Sequence, residues 1–129
     1  MKILPIIVIF ALLYSGHALA HHSFSAEFDS EKPIILTGQI TRMQWSNPHG
    51  WIYIDVTNED GTVTNWALET RAANSLIRRG WRRDDLPAGT TIVVNGFEAR
   101  NGTPTANIQG IILEDGRNFM SGNADELPN

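Results

Sequence analysis

Histidine is the residue type in this chain that points most clearly to a chemical function. The 129 residues contain four histidines, at positions 17, 21, 22 and 49, and no cysteine. Neutral imidazole nitrogens bind transition metals, and copper(II) is the divalent ion that such ligands favour most. The lack of cysteine excludes thiol catalysis, disulfide scaffolds and zinc–cysteine or iron–sulfur sites. Transition-metal chemistry would therefore rest on the histidines.

The first twenty residues have the pattern of a secretory signal peptide. Lys2 gives a positive start, residues 3–14 are almost wholly apolar, and residues 18–20 read Ala-Leu-Ala. Signal peptidase cuts after small residues in this arrangement. The apolar run is shorter than the roughly 20 residues that span a bilayer as a helix. We therefore expect cleavage after Ala20 and an exported mature chain, periplasmic or secreted, without a membrane span.

Cleavage after Ala20 would give His21 a free amine beside its own imidazole. The reference pKa values are about 7.7–8.0 for the amine and about 6.5 for imidazole, so both can present lone pairs near neutral pH. This pair can chelate a metal ion, and a distant histidine would complete a histidine brace. We expect His21, His22 and His49 to form this site, with copper as the favoured cofactor. The alternative is a polar terminus and a loop histidine with only local hydrogen bonds.

The elements that must position these histidines are short strands separated by turns. Alternating apolar residues and turn pairs such as Asp60-Gly61 and Asn101-Gly102 indicate this pattern. A helix that begins after Thr70 as N-cap and ends at Gly80 follows the third strand. The predicted strands are 34–45, 51–57, 62–69, 90–99 and 105–113, with a short pairing segment around 118–120. His49 falls in the loop between the first two strands.

The order of elements predicts an all-β fold with one helix, a small OB-like five-stranded barrel. Strand-strand-strand-helix-strand-strand is the order of that fold, and a long first strand with a phase change near Gly38 suits it. Another small β-barrel or sandwich with a helical connection is the alternative. The predicted organisation is a signal peptide at 1–20, an arm at 21–33, the barrel domain at 34–120 and a flexible tail at 121–129.

Arginine and aromatic residues mark a second candidate binding surface. Five arginines lie between Arg71 and Arg83, and guanidinium groups bind anionic ligands or acidic protein faces. Aromatic rings on an exposed strand face could stack on a flat ligand. The candidate ligand-binding residues are Trp51, Tyr53, Arg78, Arg79, Trp81 and Arg82. The alternative is that the arginines form a solvated helix end whose positive charges are balanced by Asp84 and Asp85. In that case the aromatic residues fill the core.

Three motifs stand out along the mature chain. They are His21-His22-Ser23-Phe24, Trp45-Ser46-Asn47-Pro48-His49 and Arg78-Arg79-Gly80-Trp81. Together they resemble a family of small exported bacterial proteins classed only as a domain of unknown function. The resemblance covers His21 to about Ser121, with Gly50 standing where a larger residue is expected. It implies an exported protein with an OB-like barrel and supplies no activity.

The composition of the chain and the absence of several motifs argue against some functional classes. The formal net charge of −4, made more negative by loss of Lys2, argues against nucleic acid and anionic membranes as partners. We assign no catalytic residue, because Asp55 has no paired carboxylate and no nucleophile elbow or phosphate loop is present. The favoured hypothesis is a small exported non-enzymatic binding protein for copper or another divalent metal. The others are a metal-free module that binds a ligand or an exported protein, and a copper-dependent redox enzyme.

Overall fold

The computed structural model describes residues 24–121, which are mostly β-structure with short helices. The strands are β1 (Phe28–Gln44), β2 (Trp51–Thr57), β3 (Val63–Glu69), β4 (Thr91–Ala99), β5 (Thr105–Leu113) and β6 (Asn118–Met120). Helix α1 (Ala73–Arg78) and a 3₁₀ turn (Arg83–Asp85) connect β3 to β4, and residues 24–27 are helical. No helix in this range is long and apolar enough to cross a membrane.

The strands form one sheet in the order β3-β2-β1-β4-β5-β6, with antiparallel neighbours. Strand β3 also pairs with β5 in parallel, so pairing runs from β1 through β2, β3, β5 and β4 back to β1. The long β1 pairs with β4 over residues 33–39 and with β2 over residues 39–44. The shared first strand agrees with the prediction, and β6 lies where a short pairing segment is expected. The prediction of a five-stranded order with one helix is wrong, because β6 makes a sixth strand and a 3₁₀ turn follows α1.

Strand β1 begins inside the segment that the sequence predicts to be an arm. Phe28 pairs with Ala99 of β4, and the register shifts before pairing resumes at Pro33. Phe28 is buried beside Phe97 and Ala99 in a small apolar cluster. The strand starts early because this cluster fixes Phe28 against β4. A second register shift, in the pairing with β2, lies between Ile40 and Arg42 rather than at Gly38.

The alternation predicted for β2 is present in the structure. Ile52 and Ile54 are fully buried, while Trp51, Tyr53 and Asp55 on the opposite face are only half-buried. Side chains from β1, β3, β4, β5, α1 and the following turn complete the main core. Its other buried members are Ile40, Leu68, Leu76, Trp81, Leu86, Ile92, Val94, Ala106, Ile108, Ile111 and Leu113.

The prediction that Thr70 caps helix α1 is wrong. The N-cap is Ala72, which makes no side-chain cap bond. Thr70 lies two residues before it, and its hydroxyl donates to the carbonyl of Arg71 at 2.9 Å. The first amides of a helix lack partners within it. Here the loop after β1 provides them. The Ala73 amide donates to the Ser46 carbonyl at 3.0 Å, and the Asn74 amide donates to Asn47 Oδ1 at 3.4 Å.

The prediction that Gly80 ends helix α1 is confirmed. Gly80 has a φ of 92°, which glycine adopts without a steric penalty. Its amide donates to the carbonyl of Ile77 at 3.0 Å, and the amide of Trp81 donates to the carbonyl of Leu76 at 3.1 Å. These two bonds form a Schellman motif. The motif turns the chain inward, and Trp81 enters the core.

Candidate functional site

A cavity of about 350 Å³ is formed by the loop after β1, the end of β3, the start of α1 and part of β5. We call it the His49 cavity. Its lining is mostly polar side chains with a few apolar ones. The residues that line it are Phe24, Pro48, His49, Glu69, Thr70, Arg71, Ala72, Ser75, Asn107, Ile108, Gln109 and Ser121.

The loop that carries His49 is held by hydrogen bonds on both sides. The Ser46 hydroxyl donates to the His49 carbonyl at 2.6 Å. The amide of Gly50 donates to the carbonyl of Arg71 at 3.1 Å, and the Asn47–Pro48 peptide bond is cis. Because the same loop also caps α1, the backbone of His49 is fixed relative to the end of β3 and the helix.

The side chain of His49 contacts a buried carboxylate. Its Nδ1 lies against Oε1 of Glu69, and the two side chains are 51% and 5% exposed respectively. A buried carboxylate is unfavourable unless a hydrogen-bond donor or a positive charge compensates it. His49 supplies that partner from the cavity rim, so the pair joins an accessible imidazole to a buried carboxyl group.

Gln109 adds a second buried acceptor to the wall of the cavity. The residue is 3% exposed, and its Nε2 donates to Asn107 Oδ1 at 2.9 Å. Within residues 24–121, its Oε1 has no hydrogen-bond partner. Buried polar atoms are nearly always paired. The wall therefore contains an acceptor that suits an N–H or O–H donor.

The described chain begins at the edge of the His49 cavity. Phe24 lines the cavity, and its ring packs 5.6 Å from that of Phe28 and 6.1 Å from that of Phe97. The guanidinium of Arg100 holds the same turn, because its Nε donates to the carbonyl of Ser25 at 2.7 Å. These contacts fix the start of the described chain beside the cavity.

Only part of the predicted metal site falls in the described part of the chain. His49 borders the cavity, whereas His21 and His22 lie outside the described residues, as do the predicted signal peptide and the tail from residue 122. Within residues 24–121, no group of three or more His, Cys, Asp or Glu side chains could hold a metal ion. Of the three predicted ligands, His49 is the one that the described part of the chain contains.

The aromatic residues predicted to bind a ligand lie in three different environments. Trp51 is half-buried and lines a second cavity, of about 530 Å³, together with Arg100 and Thr105. Tyr53 is covered by the guanidinium of Arg42, 4.0 Å from the ring centroid. Trp81 is 2% exposed and packs edge-on against Phe119, with centroids 5.2 Å apart.

The predicted arginine surface is exposed and partly engaged. Arg78, Arg79 and Arg82 are exposed at and beyond the end of α1. Arg83 lies over the ring of Trp45, 5.5 Å from its centroid. The carboxylate of Asp85 pairs with the guanidinium of Arg117 at 2.8 Å. It also accepts a hydrogen bond from the backbone amide of Arg82 at 2.8 Å.

Sequence reasoning missed Glu69 and Gln109, although each carries a signal. The turn at Asp60-Gly61 sets a hairpin register in which Trp51 pairs with Glu69, and this register places Glu69 near His49. Gln109 is a polar residue in the largely apolar β5, and it follows Asn107 at the spacing of one strand face. The β2–β3 register therefore locates Glu69, and the shared strand face of Asn107 and Gln109 locates Gln109.

We expect Gly50→Ala to disturb the loop that carries His49. A Cβ at this position would lie 2.6 Å from Thr70 Oγ1 and 3.2 Å from the carbonyl of Arg71. Forcing extra atoms into a packed site commonly costs about 1–3 kcal/mol, and we expect this loss in urea unfolding. Gly61→Ala shows the cost of backbone strain without crowding, because its φ of 82° disfavours an L side chain while nothing lies within 4 Å of its Cβ position. An unchanged unfolding midpoint for Gly50→Ala would contradict the close packing of this loop.

Comparison with known proteins places the chain in a family. No curated protein and no solved structure that was compared matches it. A family model described as a family of unknown function, DUF6152, matches residues 10–108. This range includes all three motifs noted in the sequence and His49. The chain therefore belongs to the family of unknown function DUF6152.

Proposed function

We propose that this chain is a small exported, non-enzymatic binding protein that holds one copper(II) ion between its processed N-terminus and His49. The amine and imidazole of His21 would supply two nitrogen ligands, and His49 would supply a third. His22 would provide a further nitrogen next to the amine. The scaffold in this proposal is an OB-like barrel, with the metal bound beside the loop between its first two strands.

The observation that carries the proposal is that Phe24 and His49 line the same cavity. His21 precedes Phe24 by three positions, and three extended residues cover at most about 10 Å. That reach is comparable with the dimensions of the cavity that Phe24 and His49 both line. The packing of Phe24 against Phe28 and Phe97 supports a fixed starting point for this short segment.

The chemistry of the ligands favours copper. Amine and imidazole nitrogens suit copper(II), and the divalent first-row series reaches its highest affinity at this ion. The carboxylate of Glu69, which contacts His49, would place a negative charge next to the nitrogen ligands. This charge would favour a bound cation, because electrostatic attraction is stronger at a buried site than in water.

The proposal also links metal binding to export. In the precursor, the nitrogen of His21 is a peptide amide, which offers no free lone pair of the kind an amine provides. Cleavage after Ala20 would convert it to an amine with a reference pKa of about 7.7–8.0. The strong chelate would therefore form only after the signal peptide is removed in the exported compartment.

Calorimetric titration of the mature chain, residues 21–129, with copper(II) tests this function. We expect one ion to bind per chain. A matched variant with three glycines added before His21 should bind more weakly, because it moves the amine away from the imidazole of His21 and leaves no histidine among the first three residues. Absence of copper binding by the mature chain, or equal affinity of the two proteins, would refute the proposal.

A further inference from the structure

We propose that the second cavity binds a neutral sugar ring that stacks on Trp51. This cavity measures about 530 Å³ and lies between the start of β2, the turn from β4 to β5 and the helical residues 24–27. The aromatic and polar residues that line it are Glu27, Trp51, Arg100, Asn101, Thr103 and Thr105. The inference goes beyond the proposed function, because it uses residues in the described part of the chain and needs no metal ion.

Trp51 offers the cavity both a ring and a hydrogen-bond donor. Its side chain lies on the face of β2 opposite the buried Ile52 and is half-buried. Within residues 24–121, its indole N–H has no hydrogen-bond partner. Tryptophan N–H groups usually find a partner where the ring is covered. A ligand oxygen in the cavity would supply that partner while the ring packs against the ligand.

The turn from β4 to β5 holds further polar groups in fixed positions. Oδ1 of Asn101 accepts from the amide of Thr103 at 3.1 Å and from its hydroxyl at 2.7 Å. The hydroxyls of Thr103 and Thr105 are 3.1 Å apart. In the described part of the chain these contacts leave the Nδ2 group of Asn101 without a partner. The turn therefore presents an ordered amide donor and a row of hydroxyls, and such preorganisation lowers the entropic cost of binding.

The charged side chains of the cavity favour a neutral ligand over an anion. Arg100 contributes the positive charge of the described lining, and its Nη1 lies 3.4 Å from a carboxylate oxygen of Asp29. Its Nε already donates to the carbonyl of Ser25. Glu27 adds an exposed carboxylate, which accepts hydrogen bonds from hydroxyl groups and repels anions. The lining therefore lacks the excess positive charge that an anionic ligand requires.

The distribution of apolar and polar groups matches a sugar ring. Phe28 and Ala99 also line the cavity and are 3% and 6% exposed, so the apolar part of the lining lies deep and the polar groups lie nearer the surface. A pyranose ring has C–H groups on its faces and hydroxyls around its edge. The negative face of an aromatic ring attracts weakly positive C–H hydrogens. A wholly aromatic ligand would instead leave the polar groups of the lining unpaired, which costs free energy.

Nitrogen-15 NMR of the mature chain in the presence of a metal chelator tests this site. The probes are three neutral trisaccharides, cellotriose, maltotriose and chitotriose, with trigalacturonate as the charged comparison. We expect at least one neutral trimer to shift the indole N–H signal of Trp51 and the side-chain amide signal of Asn101 in a saturable manner. Loss of one indole signal in Trp51→Phe assigns the signal of Trp51.

Variants of the lining test which groups hold the sugar. We expect Trp51→Ala to weaken binding by at least about tenfold, as for a central aromatic anchor, and Trp51→Phe to weaken it less because a ring remains. Thr105→Val removes one hydroxyl and should lower the affinity by about 2–10-fold. Thr57→Val, at an exposed threonine of β2, is the matched control and should bind as wild type does. The Asn101 amide signal reports the affinity in each variant.

The possible outcomes each support or overturn the sugar site. Failure of all three neutral trimers to bind would overturn it, as would binding of trigalacturonate alone. Equal affinity of wild type and Trp51→Ala would also overturn it. Circular dichroism identifies a variant that has lost its fold, and if Trp51→Ala does so, Trp51→Phe and Thr105→Val decide the result. Because the chelator removes metal ions, failure of the sugar site leaves the proposed copper function standing, and absence of copper binding leaves the sugar site standing.

Discussion

Replacement of His49 by alanine is expected to lower the copper(II) affinity of the mature chain by more than about 100-fold. The change removes a nitrogen ligand, so its effect should exceed the roughly 10–100-fold that follows loss of an outer hydrogen-bond partner. The measurement is calorimetric titration of residues 21–129. Wild-type affinity in the variant would show that any copper bound at the N-terminus does not use the His49 cavity.

A second variant separates the loss of a ligand from the loss of a partner for Glu69. His49→Ala leaves the buried carboxylate of Glu69 without its donor, which can destabilise the fold. His49→Asn keeps a side-chain N–H donor but has no imidazole. We therefore expect His49→Asn to lose copper affinity as His49→Ala does, with a smaller change in the free energy of unfolding. Retention of tight copper binding by the asparagine variant would argue against imidazole ligation.

Trp81→Ala is expected to reduce the free energy of unfolding by about 3–5 kcal/mol, the range for removal of a large aromatic residue from a core. Trp81 is 2% exposed and belongs to the main core, where its ring packs edge-on against Phe119. A loss of this size is a large fraction of the stability of a typical domain. Urea unfolding followed by circular dichroism measures it without relying on tryptophan fluorescence.

Trp51→Ala is the matched control for the effect of Trp81. Trp51 is half-buried and lines the second cavity rather than the main core, so its removal should cost less free energy of unfolding. The comparison distinguishes a structural tryptophan from a surface one. Equal and small losses for the two variants would contradict the buried position of Trp81 and would favour the surface role predicted from its arginine neighbours.

The local elements of this fold are largely predictable because local signals specify them. The alternation along β2 gives the buried face of Ile52 and Ile54, and the turn at Asp60-Gly61 defines the β2–β3 hairpin. Gly80 ends α1 for a backbone reason that is visible in the sequence, since glycine tolerates the positive φ required there. The start of α1 is different. Its first amides are satisfied by Ser46 and Asn47, which are distant in sequence.

The environment of Trp81 shows why burial is harder to predict than an element boundary. Its neighbours in the chain are mostly arginines, which suggests an exposed segment. The Schellman motif at Gly80 places the next residue against the last turn of the helix, and this reversal carries Trp81 into the core. One backbone conformation thus outweighs the polarity of the surrounding sequence.

The His49–Glu69 contact shows the same limit for the candidate site. The two residues are 20 positions apart, and neither lies in a motif that links them. Their contact depends on the register of β2 with β3 and on the loop that holds His49. The histidines alone predict a metal ligand set, whereas the tertiary structure places a buried carboxyl group against one of them.

Electron paramagnetic resonance of the copper(II)-loaded mature chain tests the central claim most directly. The hyperfine couplings should report nitrogen ligands that include the amine and imidazole of His21 and the imidazole of His49. In His49→Ala one imidazole coupling should be lost, while the signals of the His21 chelate remain. An identical spectrum for wild type and His49→Ala would contradict the claim that His21 and His49 bind the same ion.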